Sequence, residues 1–564
     1  MIVQALVKRY EDTLDVPVGW QLRGVSYALD IDENGCLHSI VRLETDDKKS
    51  IKKRTFVLPQ EYIRSSGVKA AFLCDNGSYF LGLDEKRGME KFGSAQELHV
   101  KVLENNDTIF ASAIRAYFSA HMPDNIAKLA EDISTDLKTL ASKLCIFQVN
   151  GHFADISNDS LRRSWNDYYL SENDKEAEKS FCLVTGNRTA MERVHGKIKF
   201  GKTAGGATFI GVNQESFASY GKTRADRATD IGKYAAFAYV TSLNAMLKDR
   251  NHRRQIGSDT LVYWAEKGGE AEEDLFGNLF DPLPEMDEPQ NLSDIVARIA
   301  RGDYVTEYKP NLKFYLLCLS SNAARISVRF FYTDNFGGLI RNLKSHYDRL
   351  EIVNDGRVAR QFLPLWQILQ HTTVKAESAA KANPLLGGQV LSSILSGSSY
   401  PLTLYHSMLA RIIAGDIISK EKAAVIKAVL TKNFKESEVT TVGLNEQSDN
   451  QPYVLGRLFS VLERLQATAN GSSSIRERYF ASACANPNIV FPKLLNLSIH
   501  HAAKIDKAVF YEKLKGELLS HLDEESPFPA VLGLEGQGKF ILGYYHQTQW
   551  FFTKRDKKEE LVNE

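Results

Sequence analysis

The stretch from Cys182 to Trp264 reads CLVTGNRTAMERVHGKIKFGKTAGGATFIGVNQESFASYGKTRADRATDIGKYAAFAYVTSLNAMLKDRNHRRQIGSDTLVYW. It combines basic residues, glycines and small hydroxyl residues with few carboxylates, and three aromatic residues (Phe209, Phe217 and Tyr220) are interleaved. Glycines let backbone amides approach phosphate oxygens, and lysine and arginine supply charge without reading a base. The composition therefore predicts an anion-binding segment, with nucleic acid as the first candidate ligand. The competing interpretation is a solvated basic face on a glycine-rich domain.

The cations predicted to bind a nucleic-acid backbone lie in this stretch and near the N-terminus. They are Lys197, Lys199, Lys202, Lys222, Arg224, Arg227, Arg253 and Arg254, with Lys52, Lys53 and Arg54 earlier in the chain.

One segment of the stretch, Gly196–Thr203 (GKIKFGKT), fits the spacing of a P-loop, which would make the protein an ATPase. Such a loop leaves a buried apolar strand and opens a helix whose N-terminus holds phosphates. Residues 191–195 are too polar for a central strand, and Ala204-Gly205-Gly206 would break the helix in its first turn. A P-loop ATPase is therefore kept only as an alternative, beside a general RNA-binding structural protein.

Several separated segments, in order, resemble the large subunit of the type I-C CRISPR Cascade surveillance complex. Within the basic stretch they are CLVTG, HGKIKFG, ATFIGVNQESFASYGK and TLVYWAE. Elsewhere they are MIVQALVKRYEDT at residues 1–13, FLCDNGSYFLGLD at 72–84, KFYLLCLSSNAARISVRFF at 313–331 and GKFILGYYHQTQ at 538–549. The resemblance covers essentially the whole chain. One departure is Gly196, because the family usually has a proline after the histidine that corresponds to His195.

The resemblance implies a non-catalytic subunit whose work is binding. In that family crRNA pairing reads the target sequence. The large subunit recognises the protospacer-adjacent motif, stabilises the R-loop and the displaced strand, and recruits a helicase-nuclease. The implied partners are the crRNA-bearing backbone subunits, target double-stranded DNA and its displaced single strand, that nuclease, and a small subunit made from the same reading frame.

No motif for nucleophilic or metal-assisted chemistry, such as HExxH or GxSxG, stands out in the sequence. We therefore predict no catalytic residues, no metal site and no cofactor.

Length, charge and cysteine usage bound the remaining possibilities. A chain of 564 residues is expected to form two or three domains. Because the net charge is zero, a polyanion site requires local charge segregation, and the basic residues 182–254 contrast with the acidic residues 266–288. Six scattered cysteines without a CxxC pair argue against structural zinc and disulfides. The N-terminus does not fit a signal peptide and no apolar run is long enough to span a membrane, which predicts a cytoplasmic protein.

Two hairpins are predicted near the N-terminus. Residues 26–43 alternate around Glu33-Asn34-Gly35, and the lysine-rich residues 46–54 that follow are either a solvated hairpin tip or a phosphate-contacting finger. The second hairpin is residues 72–82, where Asn76-Gly77 separates two apolar runs.

Asn76 has two interpretations. It either holds the turn of this hairpin, or donates and accepts hydrogen bonds at base edges together with Ser78 and Tyr79. The resemblance places contact with the adjacent motif in this region.

The expected fold class is α+β, with a mixed N-terminal region of β-hairpins and helices followed by a C-terminal all-α helical bundle. Residues 313–319 and 326–331 predict paired strands, and the acidic residues 270–290 predict a mobile surface loop or a linker. From about residue 380 consecutive amphipathic helices predict a bundle. The proposed domains are residues 1–265 for motif recognition and the basic segment, 266–380 for an acidic linker and continuing α/β region, and 381–564 for a bundle that resembles a small subunit.

Overall fold

The fold is given by a computed structural model that describes residues 2–14, 16–47, 50–60, 67–120, 125–174, 179–199, 206–211, 216, 229–280, 290–301, 303, 307–322, 325–354, 363–506 and 508–552. Internal contacts divide the chain into two units, residues 1–199 with 205–245 and residues 246–564 with 200–204.

The first unit mixes short strands with helices. Its helices are α1 (Ile2–Thr13), α2 (Gly77–Phe80), α3 (Gly88–Val102), α4 (Ile109–Ser119), α5 (Ile126–Asp132), α6 (Leu137–Ser142), α7 (Asp159–Asp174) and most of α8 (Lys233–Lys248). Its strands are β1 (Trp20–Val25), β2 (Tyr27–Ile31), β3 (Leu37–Arg42), β4 (Glu44–Asp47), β5 (Ser50–Pro59), β6 (Cys74–Asn76), β7 (Leu144–Val149), β8 (His152–Phe153), β9 (Lys179–Phe181), β10 (Arg188–Ala190), β11 (Lys197–Ile198) and β12 (Ala207–Thr208).

Two sheets share a core in this unit. The first has the order β3-β2-β7-β6, in which β2 and β7 are parallel and β8 pairs with β7. The second has the antiparallel order β1-β5-β4. The buried residues of this core are Val25, Ala28, Phe56, Leu58, Cys74 and Ile146. The hairpin predicted around Asn34-Gly35 is confirmed as β2–β3, with Gly35 at φ +79.

The second unit is mostly helical. Its helices are α9 (Glu270–Phe280), α10 (Gln290–Arg301), α11 (Phe336–Leu350), α12 (Leu365–Gln370), α13 (Leu386–Leu395), α14 (Leu402–Ile413), α15 (Lys420–Asn433), α16 (Gln451–Asn470), α17 (Ile475–Ala485), α18 (Pro487–Ala502), α19 (Ala508–Ser520) and α20 (Leu534–Phe552). Its strands are β13 (Arg253–Ile256), β14 (Asp259–Ala265), β15 (Lys313–Asn322) and β16 (Arg325–Asn335).

The four strands pair antiparallel in chain order. The predicted pairing of residues 313–319 with 326–331 is confirmed by β15 and β16. Arg329 on β16 pairs with the buried Asp259 of β14, at 3.3 Å between Nε and Oδ1.

The acidic segment after β14 is wrongly predicted in its first half. Residues 270–280 form α9, and two of its glutamates are buried. Each buried carboxylate accepts a hydrogen bond from a backbone N–H. Glu273 accepts from Ala265 at 2.8 Å and Glu272 from Lys309 at 2.7 Å. Residues 281–289 lie outside the described part of the chain.

The predicted run of C-terminal helices is confirmed by α13 to α19, and the last helix, α20, was not predicted. Helices α16 and α20 approach each other closely at two glycines. A Cβ at Gly456 would collide with the Phe540 carbonyl oxygen, and a Cβ at Gly543 would collide with the Tyr453 carbonyl oxygen. One hydrophobic core of the second unit extends from Ile256 to Tyr545, so its helices and the strands β13 to β16 are packed together.

These elements confirm the α+β class. The division at 265 and 380 stays a proposal. Among the described helices, none has the length and apolarity needed to cross a membrane.

Candidate nucleic-acid interface

The basic stretch of the first unit presents lysines from a small hairpin fixed to a helix. Strands β11 and β12 pair antiparallel, and Ile198 between the two lysines is buried. The Asn244 side chain on α8 accepts from the Lys199 N–H at 2.8 Å and donates to the Lys197 carbonyl at 3.0 Å. The side chains of Lys197 and Lys199 are exposed, and neither pairs with a carboxylate among the described residues. The backbone of both lysines is thus fixed, and their exposed side chains can bind an anionic ligand.

Several predicted backbone-binding residues lie outside the described residues. They are Lys202, Lys222, Arg224 and Arg227, together with the aromatic residues Phe217 and Tyr220. Their roles stay predictions.

His195, at the start of this hairpin, is buried between two hydroxyl groups. Its Nδ1 lies 2.7 Å from the Tyr239 hydroxyl and its Nε2 lies 3.2 Å from that of Thr229. Burial lowers the pKa of His195 to about 4, so the ring is neutral at pH 7, with one nitrogen donating and the other accepting. This side chain joins the hairpin to α8 and adds no charge.

The hairpin geometry removes support from the P-loop alternative. Within Gly196–Thr203, residues 197–198 form β11, and the next described element is the strand β12. Lys197 pairs with Thr208 and Ile198 with Ala207, so the intervening residues connect two antiparallel strands. A P-loop opens a helix at this point. Residues 200–205 themselves lie outside the described residues.

The predicted hairpin at residues 72–82 is wrong. Cys74–Asn76 is a strand, but its partner is β7, about 70 residues later in the chain, and helix α2 starts directly at Gly77. Asn76 has φ −66 and ψ 151, which is extended backbone and not the left-handed conformation of an Asn-Gly turn. Gly77 is needed for close packing, because a Cβ there would collide with the Leu140 carbonyl oxygen at the end of α6.

Of the three residues predicted to recognise the motif, only Asn76 is partly exposed. Ser78 and Tyr79 are buried, with 8% and 4% of their surface exposed. The Asn76 N–H is held by the buried Asp75 at 2.8 Å, and its side chain does not cap α2. Asn76 is therefore the one residue of the three that is not buried.

The backbone before Asn76 is held by a buried histidine that sequence reasoning missed. Leu73 adopts φ 59, and its N–H donates to His99 Nε2 at 3.0 Å. His99 Nδ1 lies 2.7 Å from the Ala95 carbonyl, and its ring stacks on Phe118 with centroids 4.5 Å apart. Burial lowers the pKa of His99 to about 4. The neutral ring thus fixes the strand that carries Asn76.

Arg23 and Lys143, which the sequence did not single out, contact this strand or the start of α2. Arg23 Nη1 donates to the Cys74 carbonyl at 3.4 Å. Lys143 is paired through its carbonyl with the Gly77 N–H, and its Nζ lies 3.6 Å from the buried carboxylate of Glu44. Arg42 lies 4.0 Å from the other oxygen of Glu44. Only tertiary pairing brings Arg23 and Lys143 next to Cys74 and Gly77, so no local pattern indicates them.

The lysine-rich residues 46–54 fall in the β4–β5 hairpin, and Lys52, Lys53 and Arg54 belong to β5. Lys53 is exposed, whereas Arg54 lies over two aromatic rings, 4.5 Å from the Phe153 centroid and 5.2 Å from that of Phe56. The side chain of Lys52 and residues 48–49 lie outside the described part of the chain. The choice between a solvated tip and a phosphate finger stays open.

The two arginines after α8 differ. Arg253 is exposed on β13. Arg254 lies 5.7 Å from the Tyr263 ring centroid and donates to the backbone carbonyls of Arg250 and Arg253. Arg253 is the better placed of the two for phosphate binding.

Protonation of His99 links stability to pH. The pKa of His99 is about 4 in the folded chain and about 6.5 when unfolded, so the unfolded state binds more protons between these values. The stability that neutral His99 contributes is complete above pH 6.5 and is lost as the pH falls toward 4, by up to about 1.4 kcal/mol per pH unit. We expect His99→Gln to reduce the slope of the unfolding free energy against pH, because about one proton fewer is taken up on unfolding.

Urea unfolding at several pH values between 7 and 5 measures the slope of the unfolding free energy against pH. The control is His152→Gln, at an exposed histidine of β8 in the same unit. A slope unchanged in His99→Gln would contradict the account of a buried neutral ring.

No group of three or more metal-ligating side chains lies together among the described residues. The model of a protein family described as CRISPR-associated protein (Cas_Csd1) matches residues 4–552. A search of curated proteins found no match.

Proposed function

The chain belongs to the CRISPR-associated family Cas_Csd1, and from this membership we propose that it is the non-catalytic large subunit of a type I-C RNA-guided Cascade complex. The match over residues 4–552 is the observation that carries the proposal, because it spans both units. The crRNA-bearing backbone subunits would read the target sequence by base pairing, while this subunit binds target duplex.

Two surfaces of the first unit divide the work. The exposed Lys197 and Lys199 on their fixed hairpin suit phosphate contacts, which position DNA without reading sequence. The partly exposed Asn76 suits a base edge of the protospacer-adjacent motif, with the Arg23 guanidinium at the same strand for a flanking phosphate. Holding the motif and the displaced strand would keep the R-loop open, so that the helicase-nuclease can be recruited.

The proposal is tested by electrophoretic binding of motif-bearing and motif-scrambled duplex to the assembled crRNA complex, with and without this chain. We expect the chain to be needed for tighter binding of motif-bearing duplex. Equal binding of both duplexes by the complete complex would reject motif recognition, and tight binding of any RNA by the chain alone would favour the general RNA-binding alternative.

We also propose that the distal helices are made separately as the small subunit. An internal start at Met408 would give α15 to α20, and a non-methionine start codon such as Val439 or Val442 would give α16 to α20. A product that begins at either valine keeps α16 and α20 together. It loses α15 and the hydrogen bond from the Tyr545 hydroxyl to the Val353 carbonyl.

We expect mass spectrometry of the purified complex to find this shorter product beside the full-length chain. Removal of the internal start codons by synonymous or conservative changes should abolish only the shorter product. Detection of the full-length chain alone in the unmodified complex would contradict the prediction.

A further inference from the structure

The β9–β10 hairpin of the first unit exposes large apolar side chains. Phe181 at the end of β9 is 67% exposed, and Leu183 in the connecting turn is 75% exposed. Cys182, between them in the sequence, is buried, and so is Ala190 on β10. The two exposed side chains therefore contribute little to the core of this unit, although the hairpin itself is packed into it.

The hairpin is rigidly held. Cys182 Sγ accepts from the Gly232 N–H at 3.2 Å and from the Val184 N–H at 3.4 Å. The Leu183 N–H donates to the Asp230 carbonyl at 2.9 Å. Thus Phe181 and Leu183 project from a fixed backbone, and a ligand that binds them need not order the hairpin first.

Two cations flank Phe181 on the same face of the hairpin. Arg188 is the cross-strand neighbour of Phe181, and Lys179 lies two residues before it on β9. Both side chains are exposed. In the sequence Glu178 directly precedes Lys179, and Glu192 is the one carboxylate within residues 179–199.

An exposed ring between two cations fits single-stranded nucleic acid. Every base offers a π-face for stacking on an aromatic side chain, and the phosphates on either side need positive charge. A duplex keeps its bases stacked on one another, so it cannot use the ring without being opened. A protein partner would use the apolar area of Phe181 but would have to cover or pair the two cations.

We propose that Phe181 is a stacking platform for an unpaired base of single-stranded nucleic acid, with Lys179 and Arg188 binding the adjacent phosphates. This inference deepens the proposed function and rests on it, since it names the surface that would take the displaced strand.

The test is fluorescence anisotropy of a labelled oligothymidylate with the full-length chain. Alanine at a stacking position weakens binding by about five- to 150-fold, and we expect this loss for Phe181→Ala. Phe181→Leu keeps apolar area without a ring and should lose nearly as much, whereas Phe181→Tyr should stay within about twofold of the unaltered chain. Phe510, a partly exposed aromatic residue of the second unit, is the matched control, and Phe510→Ala should leave binding unchanged.

Three results would overturn the proposal. They are no binding of oligothymidylate by the unaltered chain, unaltered binding by Phe181→Leu, and loss of other subunits from the complex in Phe181→Ala with oligothymidylate binding intact. The probe contains no motif and needs no crRNA. Failure of motif recognition and failure of stacking are therefore observed in separate experiments.

Discussion

Replacing Lys197, Lys199 and Lys202 together by alanine is expected to weaken binding of the complex to every DNA duplex alike, by roughly a hundredfold near 0.15 M salt. Each phosphate contact releases counterions, and the logarithm of the association constant falls with the logarithm of salt by about 0.9 per contact. Three lost contacts should therefore make the salt slope about 2.7 units shallower. Lys202 is included as the third lysine of the stretch, although it lies outside the described residues.

The control for this variant removes the same charge elsewhere. Lys86, Lys128 and Lys513 are exposed lysines outside the basic stretch, and their joint replacement by alanine should change the slope far less. Binding isotherms at several salt concentrations, on motif-bearing and scrambled duplex, give both slopes. An equal change of slope in the two triple variants would mean that Lys197 and Lys199 belong to a solvated basic face.

Asn76→Ala is expected to lose about five- to 150-fold in binding to motif-bearing duplex and almost nothing on scrambled duplex. An amide placed at a base edge contributes roughly 1–3 kcal/mol of discrimination, and it adds little to the non-specific attraction between charges. Stability should change little, since Asn76 is in extended backbone that alanine adopts and its side chain makes no cap to α2.

The neighbouring glycine supplies the contrasting variant. Gly77→Ala keeps the Asn76 amide but drives a Cβ into the Leu140 carbonyl oxygen. Gly77→Ala should therefore lower the thermal midpoint and, through misfolding, weaken binding to both duplexes. Asn76→Gly keeps the extended conformation accessible and should lose discrimination as Asn76→Ala does.

The strands and helices with a clear local pattern could be predicted from the sequence. Alternating residues around Asn34-Gly35 mark the β2–β3 hairpin, and apolar spacing of three and four marks α13 to α19. Helix α20 lacks such a pattern because residues 540–547 are buried on nearly all sides, against α16 and its neighbours. A helix that is buried on all sides has no polar face, so its sequence lacks the alternation of apolar and polar residues that indicates a helix.

The candidate site could be predicted only in part, because tertiary contacts decide its geometry. Asn-Gly between two apolar runs is a strong hairpin signal, yet β7 takes the place of the expected partner strand. The same pairing brings Lys143 to Gly77, and His99 reaches Leu73 from α3. None of these neighbours is close in sequence to Asn76. Basic composition, by contrast, is a local property, so Lys197 and Lys199 could be found directly.

The most direct test of motif recognition is the ratio of affinities for motif-bearing and scrambled duplex, measured for crRNA complexes assembled with the unaltered chain and with Asn76→Ala. The account predicts that the ratio falls by at least fivefold in Asn76→Ala, while the thermal midpoint and the affinity for scrambled duplex stay unchanged. An unchanged ratio in a stably folded Asn76→Ala complex would contradict it and remove Asn76 from the recognition site.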